Sequence, residues 1–348
     1  SSSSFFSFSS SSSSLPGKVL VAIAKGDYFT LGLDSTSGGK WAWGRSDTGQ
    51  LGDNTVVDKS IPVAICGTHV FTKIAAGEGH SSAIDSQGQA WCWGAASWGC
   101  LGNNTTTKQC TPIAVCGGHT FCEISAGYIF TNAIDNHGAA WSWGYNADGR
   151  AGDGTTTISK KTPVAVCGGH TFCKIAAGQV HAIGIDNHGA AWCWGGGFYG
   201  NLGYNGTANQ STPIEVCGGH TFCEISAGYS SNIAIDNHGA AWCWGNNQDG
   251  RLGDNTTVSK RTPVAVCGGH TFCKVFSSDY YVGAIDNHGA TWCWGENYYG
   301  GLGNNSTTNQ CTPVAVCGGH TFIALASGGG THTVGIDSDG LAWGWGNN

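Results

Sequence analysis

The residues best equipped for chemistry in this chain are its histidines and cysteines, and both recur in register. Histidine appears in GGHT at His119, His170, His220, His270 and His320, and in DNHG at His137, His188, His238 and His288. Rings of imidazole beside carboxylate could bind a metal, but a turn residue copied with its repeat explains them more simply. The GDN and GNN loops carry acidic and amide oxygens without the spacing of a calcium loop. Nucleophilic catalysis needs one Ser or Cys beside one His and an orienting acid. Every His-bearing motif here is present several times, which argues against an enzyme. The sequence therefore assigns no catalytic, cofactor or metal residue.

The 17 cysteines fall into three classes. Cys66, Cys116, Cys167, Cys217, Cys267 and Cys317 end the outer strand of a unit. Cys122, Cys173, Cys223 and Cys273 follow GGHTF. Cys92, Cys193, Cys243 and Cys293 stand between two tryptophans. No CxxC pair occurs, which argues against structural zinc. Each could be a small buried hydrophobe; the number favours disulfides in an oxidising compartment. One scheme joins Cys116 to Cys122, Cys167 to Cys173, Cys217 to Cys223 and Cys267 to Cys273. A second joins Cys92 to Cys116, Cys193 to Cys217, Cys243 to Cys267 and Cys293 to Cys317. The Gly-Gly of the loop leans toward the first, unless the loop crosses from an outer to an inner strand, where its ends lie too far apart. Cys100 and Cys110 form a private candidate pair. Cys311, which has Gly301 where a partner would stand, is the candidate free or intermolecular thiol.

Asn-x-Ser/Thr acceptors begin at Asn103, Asn104, Asn205, Asn209, Asn255, Asn304 and Asn305, all in the loop after GxLG. A surface loop is where N-linked glycan is sterically possible. Cysteines and sequons together point to an extracellular, secreted setting.

What positions these residues is a repeat. The word WxWG starts at Trp41, Trp91, Trp141, Trp192, Trp242, Trp292 and Trp343, every 50 or 51 residues. Such a period marks one supersecondary unit copied seven times. Within 163–203, four short apolar runs alternate with Gly, Asn and Asp punctuation, and none has a helical period. Four strands per unit, repeated radially, predict an all-β, seven-bladed β-propeller with four antiparallel strands per blade. The DNHG turns suit tight hairpins. The two indoles of WxW share one strand face, which is expected to pack on the neighbouring blade. Of the 15 tryptophans, only Trp98 lies outside the motif.

The motifs IDNHG, WCWG, GRLGDN (Gly250–Asn255) and TPVAV (Thr262–Val266) fall in one order and spacing across residues 15–348. That order resembles the regulator of chromosome condensation repeat family. The resemblance implies a seven-bladed propeller. It implies no single activity, because the scaffold hosts exchange factors, photoreceptors, ligase accessory domains and secreted inhibitors. It also places His80, His181 and His332 at the family's post-glycine position, where hydrogen bonding within the blade is expected. The photoreceptor branch uses Trp clusters with neighbouring Arg, and the WxW tryptophans here lack such partners.

Residues 15–348 hold the repeats, and residues 1–14, SSSSFFSFSSSSSS, belong to none. The seventh WxWG is followed only by Asn347 and Asn348 in the sequence as given, which reads as a mature or excerpted chain. The last blade then needs an outer strand from elsewhere, or an open edge remains. Part of residues 4–14 is expected to complete it, within the chain or by donation to a second copy, which would yield polymers. A disordered Ser-rich tail is the plain alternative.

Net charge is −7 with 11% charged residues. No basic stripe marks a nucleic-acid partner, and no apolar run is long enough to span a bilayer. The near-identical units differ mainly at two tips, such as AGYSSNI and WGENYYG. These carry Tyr128, Phe130, Tyr145, Phe198, Tyr199, Tyr229, Tyr280, Tyr281, Tyr298 and Tyr299. Variation on a constant scaffold is how a binding surface diversifies, although aromatics can equally pack between loops. Three functions are compatible with these observations. The first is a secreted, glycosylated, disulfide-bonded structural or adhesive propeller, such as a fibre subunit, whose partner is another protein or itself. The second is a secreted protein-binding or inhibitor propeller. The third is an intracellular guanine-nucleotide exchange factor at chromatin, against which the low charge, many cysteines and missing basic tail count.

Overall fold

The computed structural model describes residues 6–7, 19–35, 38–329 and 332–347. Among these the backbone forms seven four-stranded antiparallel sheets and one helical turn, Ser97–Gly99. Each sheet is a blade. Blade five runs Phe222–Ala227, Ser231–Asp236, Ala241–Gly245 and Lys260–Ala265, paired in sequence order. The first strands of successive blades touch one another in a closed ring, the seventh meeting the first. They surround the axis, and the fourth strands form the rim.

Two close approaches explain why glycine recurs at fixed places. At the axial turns, a Cβ added to Gly26, Gly77, Gly127, Gly178 or Gly228 would collide with the backbone carbonyl of the next blade's turn. Gly328 meets Gly26 in the same way, so this contact also closes the ring. In GxLG the second glycine lies under the next blade's tryptophan. An added Cβ on Gly253 would stand 2.8 Å from Trp294 Nε1, and Gly253 also has φ +67°, which disfavours a side chain.

The two tryptophans of WxW have different jobs. The second inserts between blades: Trp93, Trp143, Trp194, Trp244 and Trp294 are fully buried. Except at Trp143, its indole N–H donates to a carbonyl of the preceding blade, at 3.0 Å for Trp244 to Asn201 and 3.0 Å for Trp294 to Arg251. Each such indole hides on the order of 150–250 Å², and the apolar clusters that hold it draw from both blades. The first tryptophan is half-buried and bonds its own hairpin. In blade four, Asp186 Oδ1 accepts from the N–H of His188 (2.9 Å) and Ala190 (3.0 Å), and Oδ2 accepts from Trp192 Nε1 at 2.9 Å. Burial works against that carboxylate, but the three donors together hold it below its ordinary pKa.

The seventh blade is completed within the chain. Phe6–Ser7 pairs antiparallel with Ala342–Gly346, Phe6 opposite Gly344 and Ser7 opposite Trp343. Residues 1–5 and 8–14 lie outside the described residues.

All 17 cysteines are free in the structure, which corrects the expected pairings. The CGGHTFC loop leaves the rim strand of one blade and enters the axial strand of the next. Cys116 and Cys122, Cys167 and Cys173, Cys217 and Cys223, and Cys267 and Cys273 therefore sit one beside a rim strand and the other on an axial strand. The second scheme fails on register. Cys92, Cys193, Cys243 and Cys293 face Ile113, Ile214, Val264 and Val314, not cysteine. Cys100 is buried with its thiol 3.1 Å from the Ala95 carbonyl, whereas Cys110 packs over Gly49 of the preceding blade. Cys311 packs over Gly250 in the same fashion, half-buried against a turn.

The axial strands also reveal an alternation invisible in one repeat. Lys73, Glu123, Lys174, Glu224 and Lys274 succeed one another around the ring, with Lys73–Glu123 at 2.6 Å and Lys174–Glu224 at 3.0 Å. Ser125 and Ser226 accept from the backbone N–H of Ala177 and Ser277 in the next blade, each at 3.0 Å. Exposed pairs contribute only about 0–1 kcal/mol each, so this pattern adds little to stability.

Candidate binding face

Strand order gives the disc two unlike faces. One carries the DNHG hairpins and the GGHT loops. The other carries the turns between first and second strands and the long loops after WxWG. On the first face the GGHT histidines are occupied. His119, His170, His220, His270 and His320 each lie 3.8 Å, centroid to centroid, from the first tryptophan of their own blade. Among the described residues no group of three or more His, Cys, Asp or Glu is arranged to hold a metal ion.

The second face is built from one-off residues. The position after the axial glycine, or after Ser278 in blade six, is Asp27, Glu78, Tyr128, Gln179, Tyr229, Asp279 and Gly329 in the seven blades. Six of these seven, Tyr229 excepted, line an axial cavity of about 70 Å³ together with Lys25. Lys25 is buried, and its ammonium donates to the carbonyls of Gly26 (3.0 Å) and Asp27 (3.4 Å). Asp27 Oδ1 accepts from Gly329 N–H at 3.1 Å. Gln179 Nε2 donates to Asp279 Oδ2, and Tyr128 bonds Glu78 through its hydroxyl.

Burial dominates the electrostatics here. It pushes Asp279 up to about 7, with the neighbouring Asp27 charge adding to the effect. It also raises Asp27 and Glu78, and lowers Lys25 to about 8. Asp27 and Asp279 are both drawn to the Lys25 ammonium, whereas the positive neighbour of Glu78 is Arg45. The arginines nearby are already engaged, Arg150 with Asp148 and Arg251 with Asp249.

The outer loops of the same face present aromatics to solvent. Tyr298 (68%), Tyr299 (56%), Phe198 (56%), Tyr199 (45%), Tyr229 (41%) and Tyr280 (38%) are exposed, as the variable tips suggested. Phe130 and Tyr281 are not surface residues. Both are buried between blades, and Tyr281 bonds Thr333 at 2.8 Å. They are the first residues of second strands, a position that also holds His80 and His181. Those imidazoles likewise reach the next blade, not their own: His80 meets Thr131 at 3.0 Å and His181 meets Asn232 at 2.8 Å. Tyr145 is half-buried under Arg150 and edge-on to Trp98.

Two exposed aromatics escaped the sequence reading. Tyr28 (61%) sits in the divergent first blade, and Trp98 (45%) belongs to a loop without counterparts. The signal was there for Trp98, the one tryptophan outside WxWG. Tyr28, Tyr280 and Tyr299 border a second cavity of about 570 Å³ at the seam between the last and first blades, where His332 and Trp345 also contribute.

The rim loops hold the sequons. Asn104, Asn205, Asn255 and Asn305 adopt left-handed backbone, φ 58–67°, which asparagine tolerates better than most residues. Asn103 Oδ1 accepts from Thr105 N–H (3.2 Å), as Asp53 does from Thr55 (3.0 Å). Asn304 Oδ1 accepts from Asn297 Nδ2, and Asn209 Oδ1 from Gly197 N–H. Loop geometry thus accounts for asparagine at these places independently of any glycan.

Comparison with known proteins follows from this geometry. No curated protein sequence matches the chain. Among solved structures, human WBSCR16 superposes with TM-score 0.82 at 17% identity, covering 95% of this chain and 87% of that one. Prp20p from Saccharomyces cerevisiae gives 0.80 at 20% identity, covering 94% and 82%. The ectodomain of the Arabidopsis thaliana receptor kinase ACR4 gives 0.60 at 16%, covering 95% and 97%. At such identities the likeness is one of fold. The regulator of chromosome condensation (RCC1) repeat model matches six times, at 37–84, 87–134, 137–185, 188–235, 238–285 and 288–336. Each match begins in the second half of one blade and ends in the first half of the next, so consecutive copies interlock around the ring. With that pattern carried through most of its length, the chain belongs to the RCC1 repeat family.

Proposed function

We propose that this chain is a protein-binding propeller that engages its partner through the face bearing the axial turns and the post-WxWG loops. The observation that carries this reading is the segregation of exposed aromatics. Tyr28, Phe198, Tyr199, Tyr229, Tyr280, Tyr298 and Tyr299 are solvent-facing on one side of the disc, where the repeats differ most. Tyrosine supplies large contact area at low entropic cost, and aromatics are over-represented at interface hot spots. A protein partner is also in keeping with Prp20p, whose structure was described with its binding to Gsp1p and histones. Assembly into fibres by strand donation has less support than a monomeric binder, because Phe6–Ser7 is paired within its own chain.

An extracellular setting is part of the proposal. Exposed Asn104, Asn205, Asn255 and Asn305 lie in the outer parts of the post-WxWG loops, surface positions where glycan is sterically possible. Intact mass of native material tests it: sugar at any of these sites supports secretion, and bare peptide mass overturns it. The binding face is tested by hydrogen exchange on a captured complex. Protection at residues 28, 229, 280 and 298–299 is the expected footprint. Protection confined to the DNHG and GGHT loops would sink the reading.

A further inference from the structure

We propose that the axial cavity receives a lysine or arginine side chain from the partner, while an adjacent apolar side chain of the same partner loop lies in the seam cleft. The inference rests on the docking face argued above and names the chemistry of what docks there. Gly329 borders both the axial cavity and the cleft, so the two openings are contiguous. Asp27 precedes Tyr28 and Asp279 precedes Tyr280, so two of the three carboxylates at the axis are followed by a tyrosine that lines the cleft.

Charge selects the occupant. Asp27 and Asp279 face the Lys25 ammonium, which already bonds two backbone carbonyls, and Glu78 lines the same cavity. Arg45, Arg150 and Arg251 on the same face are paired with Asp47, Asp148 and Asp249. Glu296 beside Tyr298 adds a fourth carboxylate next to the aromatic arc. The surplus is negative, and burial makes it costly, as the raised Asp27, Glu78 and Asp279 show. An entering cation relieves that cost, and tyrosine faces at the rim favour a cation passing over them. A phosphate or acidic peptide meets repulsion instead. Size separates the two openings: about 70 Å³ at the axis admits no more than an ammonium or guanidinium head, whereas about 570 Å³ at the seam has ample room for an apolar side chain and the backbone that carries it.

The test uses short random peptides displayed on phage, panned against the full chain near neutral pH. Enriched peptides are then titrated calorimetrically against wild type, Asp27→Asn/Asp279→Asn and Tyr299→Ala. Enriched sequences should carry Lys or Arg next to an apolar residue. Their affinity should fall at least about tenfold in the double Asn variant and weaken as salt is raised. Peptides that lack a basic residue yet lose affinity in Tyr299→Ala overturn the cation socket and leave the docking face standing. Peptides indifferent to both variants, or no enrichment, overturn the two together. Near-UV circular dichroism checks that each variant is folded, and Asp27→Asn alone serves if the double variant is not.

Discussion

The two faces of the disc are built by the same repeats and obey different rules. On the DNHG face nearly every polar side chain completes the scaffold: the aspartate gathers two backbone N–H groups and an indole, and the histidine stacks on that indole. Changing any of these strands a buried donor, so copying preserves them. On the opposite face the axial glycine is constrained by the carbonyl of the next blade, and the position after it is where the repeats diverge. The residue after it is under no such steric limit, and the seven blades place five residue types there. The contrast teaches that repetition marks where a side chain works for its neighbour, and divergence marks where it is free to work for a partner.

Substitutions can break or sharpen that contrast. The largest loss is expected for Trp244→Ala, which empties an inter-blade site and should cost about 3–5 kcal/mol by urea unfolding. Next is Asp186→Ala on the constant face, which leaves the Trp192 indole and two backbone N–H groups without their acceptor. A loss of about 1–3 kcal/mol is expected by the same measurement. If Asp186→Ala proved neutral, the reason offered for the constancy of DNHG would fail.

pH separates the regions by sign. His80 and His181 are held neutral by burial, with pKa about 4 against an ordinary 6.5. The unfolded chain binds those protons first, so their contribution is complete above about 6.5 and is lost as pH falls toward about 4. His181→Gln should flatten the acid limb of thermal stability in that window. Asp279 runs the other way. Its folded pKa is about 7 against 3.8, so the folded state holds the proton longer and loses stability as pH rises through about 7. Asp279→Asn should raise Tm above that pH and change it little near pH 4, as scanning calorimetry would show. The smallest effect belongs to Tyr298→Ala. Exposed and outside the scaffold, it should alter stability by no more than about 0.5 kcal/mol while weakening partner binding.

Much of the fold was legible in the chain because it is written seven times. The WxWG period announced the blade count, the DNHG turns announced the hairpins, and the missing last strand was matched by Phe6–Ser7. Aromatic tips were legible where they fell in long loops, as at Phe198, Tyr199, Tyr298 and Tyr299. They were misjudged at Phe130 and Tyr281, which look like turn residues but begin the second strand and point between blades. The cysteines misled for a related reason. Register along the sequence brought Cys116 near Cys122, whereas the chain between them crosses from rim to axis.

By itself the sequence determined the unit, the number of copies and the identity of the interlocking pieces, since periodicity and strand alternation are local properties. Only the tertiary structure decided the site. Asp27, Glu78, Tyr128, Gln179 and Asp279 are separated by about 50 residues at each step or a multiple of it, and each is unremarkable in its own turn. They become a shared acidic cavity because ring closure brings every blade's first turn to a single axis, where burial and mutual repulsion act on all of them at once.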